Sequence, residues 1–152
     1  MQLNLPEHQF TIKKGAKGLS IFDTLRSKFV ALTPEEWVRQ NFVAFLIHHK
    51  QFPKALMGNE IALVQNDIKR RCDTLVADRE GNPFAIVEYK APSIEITQKV
   101  FDQIVRYNMV LRAKYLMVSN GLQHYCCKID YDADTYSFLP DIPCYSDIAG
   151  GE

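Results

Sequence analysis

The sequence predicts a single α/β domain built on a mixed central sheet of about four to five strands flanked by helices. A β-hairpin is indicated over residues 72–92, where two apolar runs rich in Val, Ile, Phe and Tyr flank a turn at 79–83. An amphipathic helix is indicated after Thr33. A helix over 98–112 followed by a strand over 114–119 completes a strand–helix–strand unit, which is typical of a parallel crossover.

Length and charge limit the classes of protein that fit. The chain has 152 residues, of which 47% are hydrophobic and 24% are charged, and its formal net charge is zero. We expect one domain over 1–152, with a core at 33–130, an N-terminal hairpin and connector at 1–32, and an extended tail at 140–152. The neutral balance excludes a strongly basic nucleic-acid binder. Any DNA contact must therefore come from a local basic patch, and the best candidate is Lys69, Arg70 and Arg71.

The compartment is predicted from what the sequence lacks. The first residues show no signal peptide, and no apolar run approaches the length of a membrane span. The four cysteines contain no Cys-x-x-Cys pair. We therefore expect a cytoplasmic protein with reduced thiols and no membrane association.

The first helix has clear start signals. Thr33 suits the N-cap, Pro34 suits the first helical position, and Glu36 lies where a capping box places a glutamate. An apolar face follows, and the helix should end near Lys50. The next strand is expected over 57–64. Glu60 in that strand is either an exposed charge or an additional ligand of a metal or water, and exposure is favoured.

The charged residues of the hairpin are its unusual feature. Charges within apolar strands are costly to bury unless they are paired or bind a metal. Glu88 and Lys90 share a face because they are two residues apart on one strand. A four-residue loop at 79–82 places Asp73 opposite Glu88, whereas a three-residue loop places it on the other face. We choose the four-residue loop, or a bulge with the same effect.

In that register two carboxylates and an ammonium converge at one end of the sheet. Oxygen ligands of this kind suit Mg²⁺, and Mn²⁺ is an alternative. Asp73 and Glu88 would be the metal ligands, with the carbonyl of Tyr89 as a third oxygen. Lys90 would position the attacking water and stabilise charge on a phosphate.

These residues, in this order, resemble a known family. Asp73, a hairpin and Glu88-x-Lys90 are similar to the core of PD-(D/E)XK nucleases. The surrounding sequence resembles the N-terminal nuclease domain of type I restriction enzyme R subunits over roughly residues 20–130, and the similar segments are 33–40, 71–73, 88–92, 103–107 and 119–121. Cys72 stands where the superfamily often has proline.

The resemblance implies a restriction-endonuclease-like fold and several roles for residues. It implies that Gln103 and Tyr107, four residues apart on the second helix, orient near Glu88 and Lys90 and touch DNA or the lysine. It also gives Glu36 a second interpretation, as a glutamate sent from the first helix into the metal site. The two interpretations of Glu36, cap and ligand, are weighted equally.

The leading hypothesis is a Mg²⁺-dependent DNA endonuclease that acts with restriction-modification or other partner subunits. No nucleotide-binding motif of an ATP-driven motor is present in the chain. The alternative is a catalytically silent nuclease fold that binds DNA or a partner subunit. A third hypothesis treats Glu88 and Lys90 as a surface ion pair of an ordinary α/β domain. The oligomeric state is not predicted.

Overall fold

Two β-sheets and the helices that cover them are seen in the computed structural model, which describes residues 2–149. The elements in chain order are β1 (Ile12–Gly15), β2 (Gly18–Asp23), β3 (Lys28–Ala31), α1 (Pro34–His49), β4 (Met57–Gln65), β5 (Ile68–Ala77), β6 (Pro83–Tyr89), α2 (Gln98–Asn108), β7 (Tyr115–Ser119), β8 (His124–Asp130), β9 (Thr135–Phe138) and α3 (Tyr145–Ala149). A short 3₁₀ turn precedes β4, and another (Met109–Leu111) extends α2.

The main sheet has the strand order β4-β5-β6-β7-β8-β9. Its neighbouring strands are antiparallel except for β6 and β7, which are parallel and are connected through α2. The mixed sheet and the crossover through α2 agree with the predicted fold class. The sheet has six strands rather than four or five, because β9 adds an edge strand after β8.

Each face of the main sheet is covered by one helix. One core cluster packs α1 against the sheet through residues that include Val38, Phe42, Leu46, Val76 and Val87. The other packs α2 against the opposite face through residues that include Phe101, Val105, Ile86, Leu116 and Val118. These side chains supply most of the apolar burial that holds the helices on the sheet.

The first helix begins as its sequence signals predict. Thr33 is the N-cap, and its hydroxyl accepts a hydrogen bond from the backbone N–H of Glu36 at 3.0 Å. Pro34 occupies the first helical position, where a missing N–H costs nothing. The helix ends at His49, with Lys50 as its C-cap.

The hairpin turn sets the register of β5 and β6. The side chain of Asp78 accepts hydrogen bonds from the backbone N–H groups of Glu80 and Asn82, both at 2.9 Å. Gly81 adopts φ 86, a conformation that favours glycine. The loop spans 78–82, Ala77 pairs with Pro83, and a bulge then restores the pairing of Val76 with Ala85. The expected four-residue loop is therefore wrong, and the alternative bulge gives the expected register.

Both ends of the chain differ from expectation. Residues 12–31 form a three-stranded sheet in the order β1-β2-β3, rather than the hairpin and connector expected over 1–32. The segment after Pro140 is not an extended tail as far as it is described, because α3 forms there and Ile142 and Ile148 are buried in the α1-side core. Residues 150–152 of the expected tail lie outside the described residues.

Candidate functional site

Asp73, in the middle of β5, and Glu88, near the end of β6, bring their carboxyl groups together. The pairing of Thr74 with Val87 places Asp73 and Glu88 at the next opposed position. One Asp73 oxygen, Oδ2, accepts a hydrogen bond from the backbone N–H of Tyr89 at 2.9 Å. The carboxyl group of Asp73 also lies within hydrogen-bonding reach of that of Glu88.

Glu88 is the most perturbed acid of this pair. Burial disfavours its ionised form, and the charge of Asp73 adds to that effect, so the pKa of Glu88 is raised to about 9. Its Oε1 is buried and has no hydrogen-bond partner among the described residues. A buried carboxylate oxygen without a donor is rare and costly, and a bound cation is one way to satisfy it.

Lys90 places a positive charge beside this pair. Burial raises the pKa of Glu88 and of Glu35, and the charge of Lys90 opposes both rises. Within residues 2–149 the Lys90 side chain forms no ion pair. The ammonium therefore remains available to a ligand that enters the site.

A break in the β4–β5 pairing shapes the strand at Asp73. Asn59 pairs with Thr74 and Ile61 with Cys72, but the intervening Glu60 has φ 56, an uncommon conformation for a residue with a Cβ. The carbonyl oxygen of Asp73 accepts instead from Nη1 of Arg39 at 2.7 Å. Arg39 thus holds the backbone of the residue whose carboxylate enters the site.

Arg39 is the centre of a buried polar network that supports the site from α1. Its Nε donates to Glu36 at 3.0 Å, and its Nη2 donates to Glu60 at 2.7 Å. Glu36 also accepts from Arg26 at 2.9 and 3.0 Å and from Gln40 at 2.9 Å. Charges buried in this way are stable only because each is paired.

The network continues into the N-terminal sheet and β6. Arg26 donates to Asp23 at 2.5 Å, and Asp23 accepts from Asn59 at 2.9 Å. Asn59 accepts from Thr74 at 2.6 Å, and the Thr74 hydroxyl lies 2.8 Å from that of Tyr89. Hydrogen bonds thus connect the three-stranded sheet to the strand that carries Glu88.

Glu36 does not face the predicted metal site. Both of its oxygens are occupied by Arg26, Arg39 and Gln40, so the structure supports neither the ligand interpretation nor a carboxylate that caps the helix. Only its backbone N–H takes part in the cap. Glu36, whose cap and ligand interpretations were weighted equally, therefore belongs to the buried network instead.

Glu35 is the residue of α1 that faces the site. Burial raises the pKa of Glu35, and the nearby charge of Asp73 raises it further, while Arg39 and Lys90 oppose the rise. Its carboxyl group is exposed at the edge of the site and interacts electrostatically with Asp73 and Lys90. The only feature of the sequence that could have pointed to Glu35 is its position next to Glu36, one residue closer to the N-cap Thr33.

Glu60 is neither a simple exposed charge nor a free ligand. Its carboxylate lies between Arg39 at 2.7 Å and Arg71 at 3.1 Å. Burial works against ionisation, but the hydrogen bonds from Arg71 and Arg39 outweigh it and lower the pKa of Glu60. Both oxygens are therefore used in support of the site rather than in it.

The basic run before Asp73 is not one continuous patch. Arg71 pairs with Glu60, whereas Arg70 donates to the carbonyl oxygen of Tyr107 at 2.8 Å and stacks on its ring with 4.2 Å to the centroid. Neighbouring residues of a strand point to opposite faces, which separates the two arginines. Lys69 is exposed. A DNA-binding role of all three together loses its geometric basis.

The second helix contributes a different residue from those expected. The side chain of Gln103 is exposed and makes no hydrogen bond within residues 2–149. Tyr107 pairs with Arg70, so the structure brings neither residue into contact with Lys90. Asn108 is buried and lies within hydrogen-bonding reach of Glu88. Its Oδ1 is the other buried side-chain atom without a partner in residues 2–149. No spacing or motif in the sequence indicated Asn108.

The donor atoms fit a hard divalent cation in part. Asp73 and Glu88 supply carboxyl oxygens, and the buried Oε1 of Glu88 has no hydrogen-bond partner within residues 2–149. No group of three or more His, Cys, Asp or Glu side chains in residues 2–149 is arranged to hold a metal. A cation here would need backbone or water oxygens as well, which Mg²⁺ accepts because it retains several waters.

Comparisons with known proteins agree with the fold. No curated protein matches the chain. A solved fragment of a putative HsdR subunit of a type I restriction enzyme from Vibrio vulnificus YJ016 is similar in structure, with a TM-score of 0.54 and 18% identity. The match covers 80% of this chain and 25% of that chain. At this identity the likeness shows the fold, which is consistent with a restriction-endonuclease-like architecture.

No helix in residues 2–149 is long and apolar enough to cross a membrane.

The family described as Type I restriction enzyme R protein N terminus matches residues 34–143. That span includes α1, both strands of the hairpin and α2, and therefore all the residues of the candidate site. The chain belongs to the family formed by the N terminus of type I restriction enzyme R proteins.

Proposed function

We propose that this domain hydrolyses phosphodiester bonds of DNA in a metal-dependent reaction. The observation that carries the proposal is the pair of carboxyl groups of Asp73 and Glu88, with a buried unpartnered oxygen on Glu88 and the unpaired ammonium of Lys90 beside them. This combination is costly in an empty site and becomes favourable when a cation and a phosphate enter.

Each residue has a role that follows from its position. Asp73 and Glu88 would hold Mg²⁺ or Mn²⁺, together with the Tyr89 carbonyl. The ion would lower the pKa of a bound water and neutralise the phosphate. Lys90 would orient the water and stabilise charge on the phosphate oxygens. Glu35, which faces Asp73 and Lys90, would take up a proton at the edge of the site.

The experiment is cleavage of a supercoiled plasmid and of a labelled duplex with Mg²⁺ or Mn²⁺. We expect the parent to cut, and Glu88→Ala and Lys90→Ala to lose activity by at least about a hundredfold. Lys128→Ala is the matched control, because Lys128 is exposed on β8. If the parent cuts and the two site variants cut equally well, the assignment of the site is wrong.

A second function is supported by the shortage of metal-ligating side chains in the described residues. A catalytically silent module would bind DNA or a partner subunit of a restriction system, and its place of action would be the cytoplasm, where the DNA is. Gel shift and sedimentation distinguish it from the nuclease. Binding without cleavage, unchanged by Glu88→Ala, would favour the silent module.

A further inference from the structure

An apolar slot lies next to the candidate site. It has a volume of about 390 Å³ and is lined by Ile12, Leu32, Thr33, Pro34, Trp37 and Pro92. Thr33 is the polar residue of this group, and Ile12 is 43% exposed. Phe10 packs edge-on against Trp37 with ring centroids 5.4 Å apart, which fixes the orientation of the indole.

Two chain segments connect the slot to the site. Pro34 immediately precedes Glu35, whose carboxyl group interacts with Asp73 and Lys90. Pro92 follows Lys90 by two residues, so their Cα atoms are at most about 7 Å apart. A ligand that fills the slot could therefore extend into the candidate site over a distance comparable to that between the Cα atoms of Pro92 and Lys90.

Charge beside the slot favours an anionic ligand. Lys14 shares a face of β1 with Ile12, because the two residues are two apart on the strand. Lys14 is exposed and forms no ion pair within residues 2–149. Lys14 on β1 and Lys90 in the candidate site supply cations near the slot, and Glu35 next to Pro34 supplies one carboxyl group. The lining of the slot itself carries no charged side chain.

We infer that this slot binds an unpaired nucleobase, stacked on Trp37, of the strand whose phosphate enters the candidate site. An apolar aromatic surface next to cations matches a nucleotide, which has a flat base and a charged phosphate. The inference rests on the proposed function and specifies its substrate, a single-stranded or frayed nucleic acid. Lys14 contacts a phosphate on the far side of the base.

Trp37 is the sole tryptophan of the chain, so its fluorescence reports on the slot directly. The experiment titrates the 152-residue protein, without divalent metal, with a short oligothymidylate, its RNA counterpart, a blunt duplex and an oligothymidylate of the same length that lacks bases. We expect both single strands to quench the fluorescence, and the duplex and the abasic strand to do so only weakly.

Variants separate stacking from other contacts. Trp37→Leu should weaken binding of the base-containing strand by about fivefold or more, measured by anisotropy of a labelled strand, and Trp37→Phe should restore most of it. Phe138→Ala is the matched control, because Phe138 is 47% exposed on the distant strand β9. Lys14→Gln should weaken the binding of both the base-containing and the abasic strand and reduce the salt dependence of that binding, whereas Lys128→Gln should do neither.

The outcomes distinguish this inference from the proposed function. Base-dependent quenching with no cleavage supports base binding in the slot and contradicts the proposed nuclease activity. Cleavage whose rate and affinity are unchanged in Trp37→Leu supports the nuclease and overturns the slot. Equal binding of the abasic strand also overturns the slot inference. A dimer that depends on Trp37 in sedimentation, without quenching by oligonucleotides, overturns it too, because a second copy of the chain would then occupy the slot.

Discussion

Glu35 and Glu36 are neighbours on α1, but their carboxyl groups lie in different environments. Glu36 is buried and accepts hydrogen bonds from Arg26, Arg39 and Gln40. Glu35 is exposed and interacts with Asp73 and Lys90. Successive helical residues are rotated by about 100°, so one of them supports the fold while the other reaches the site.

Exchanging each glutamate for glutamine should separate stability from activity. Glu36→Gln removes the carboxylate shared by Arg26 and Arg39 in the buried network and should lower the free energy of unfolding by about 3 kcal/mol. Glu35→Gln should change it by less than about 0.5 kcal/mol but reduce cleavage by about a hundredfold. Urea denaturation and plasmid cleavage measure the two effects. The reverse pattern would show that Glu36 is the functional residue.

Glu88→Gln should stabilise the metal-free protein. The raised pKa keeps Glu88 protonated in the fold although it is ionised in the unfolded chain, and the amide removes the cost of that protonation. The amide can also donate to Asp73, so we expect a gain of about 1 kcal/mol in the free energy of unfolding. In Mn²⁺ at a hundredfold excess over Kd, the parent should gain about 2.7 kcal/mol and the variant much less. Thermal unfolding with and without Mn²⁺ tests this, and equal gains would argue against Glu88 as a ligand.

Arg39 should be far more important for stability than Arg71, although both pair with Glu60. The side chain of Arg39 is 6% exposed, and that of Arg71 is 63% exposed. Arg39→Met removes the donor to the Asp73 carbonyl and one buried cationic partner of both Glu36 and Glu60, and it should cost about 3–5 kcal/mol. Arg71→Met should cost less than about 1 kcal/mol. Similar denaturation midpoints for the two variants would contradict the buried network.

His124 should make the protein sensitive to acid. Burial lowers the pKa of His124, although a backbone hydrogen bond to Asn4 opposes this effect. Its ring nitrogens lie 2.7 Å from the Ser119 hydroxyl and 2.9 Å from the Asn4 carbonyl. As the pH falls through about 6.5, the unfolded chain binds a proton that the folded ring does not, so stability is lost until the folded-state pKa is passed.

Denaturant unfolding between pH 7.5 and about 5 tests this expectation. His124→Gln should reduce the fall in the free energy of unfolding over that range. His49→Gln, at an exposed position of α1, should leave the fall unchanged. An identical pH dependence of the parent and His124→Gln would show that other groups cause the acid sensitivity.

Much of the architecture was predictable because local signals agreed with the tertiary structure. Thr33 and Pro34 start α1 where capping rules place them. The apolar runs on either side of residues 79–83 predict the hairpin, and a bulge at β6 places Asp73 opposite Glu88 even though the turn is one residue longer than expected. The site depends on these two elements, so its two acids could be found from the sequence.

What could not be predicted depends on distant partners. Arg26 lies before β3, and nothing in the sequence indicates that it would pair with Glu36 and leave Glu35 for the site. A positive φ at Glu60 is unusual for a glutamate and has no sequence signal. The burial of Ile142 and Ile148 was hidden by the prolines around them, which suggested an extended tail.

The hydrogen-bond network through Arg26 and Asp23 determines how far this domain can be truncated from its N-terminal side. The family match begins at residue 34, after the three-stranded sheet has ended. A fragment expressed from that boundary would keep the two acids and the lysine, but the carboxylate of Glu36 would lose its Arg26 partner and Asn59 would lose Asp23. The shortest functional fragment should therefore include β1–β3, and a fragment that begins at residue 34 should be recovered largely as insoluble protein.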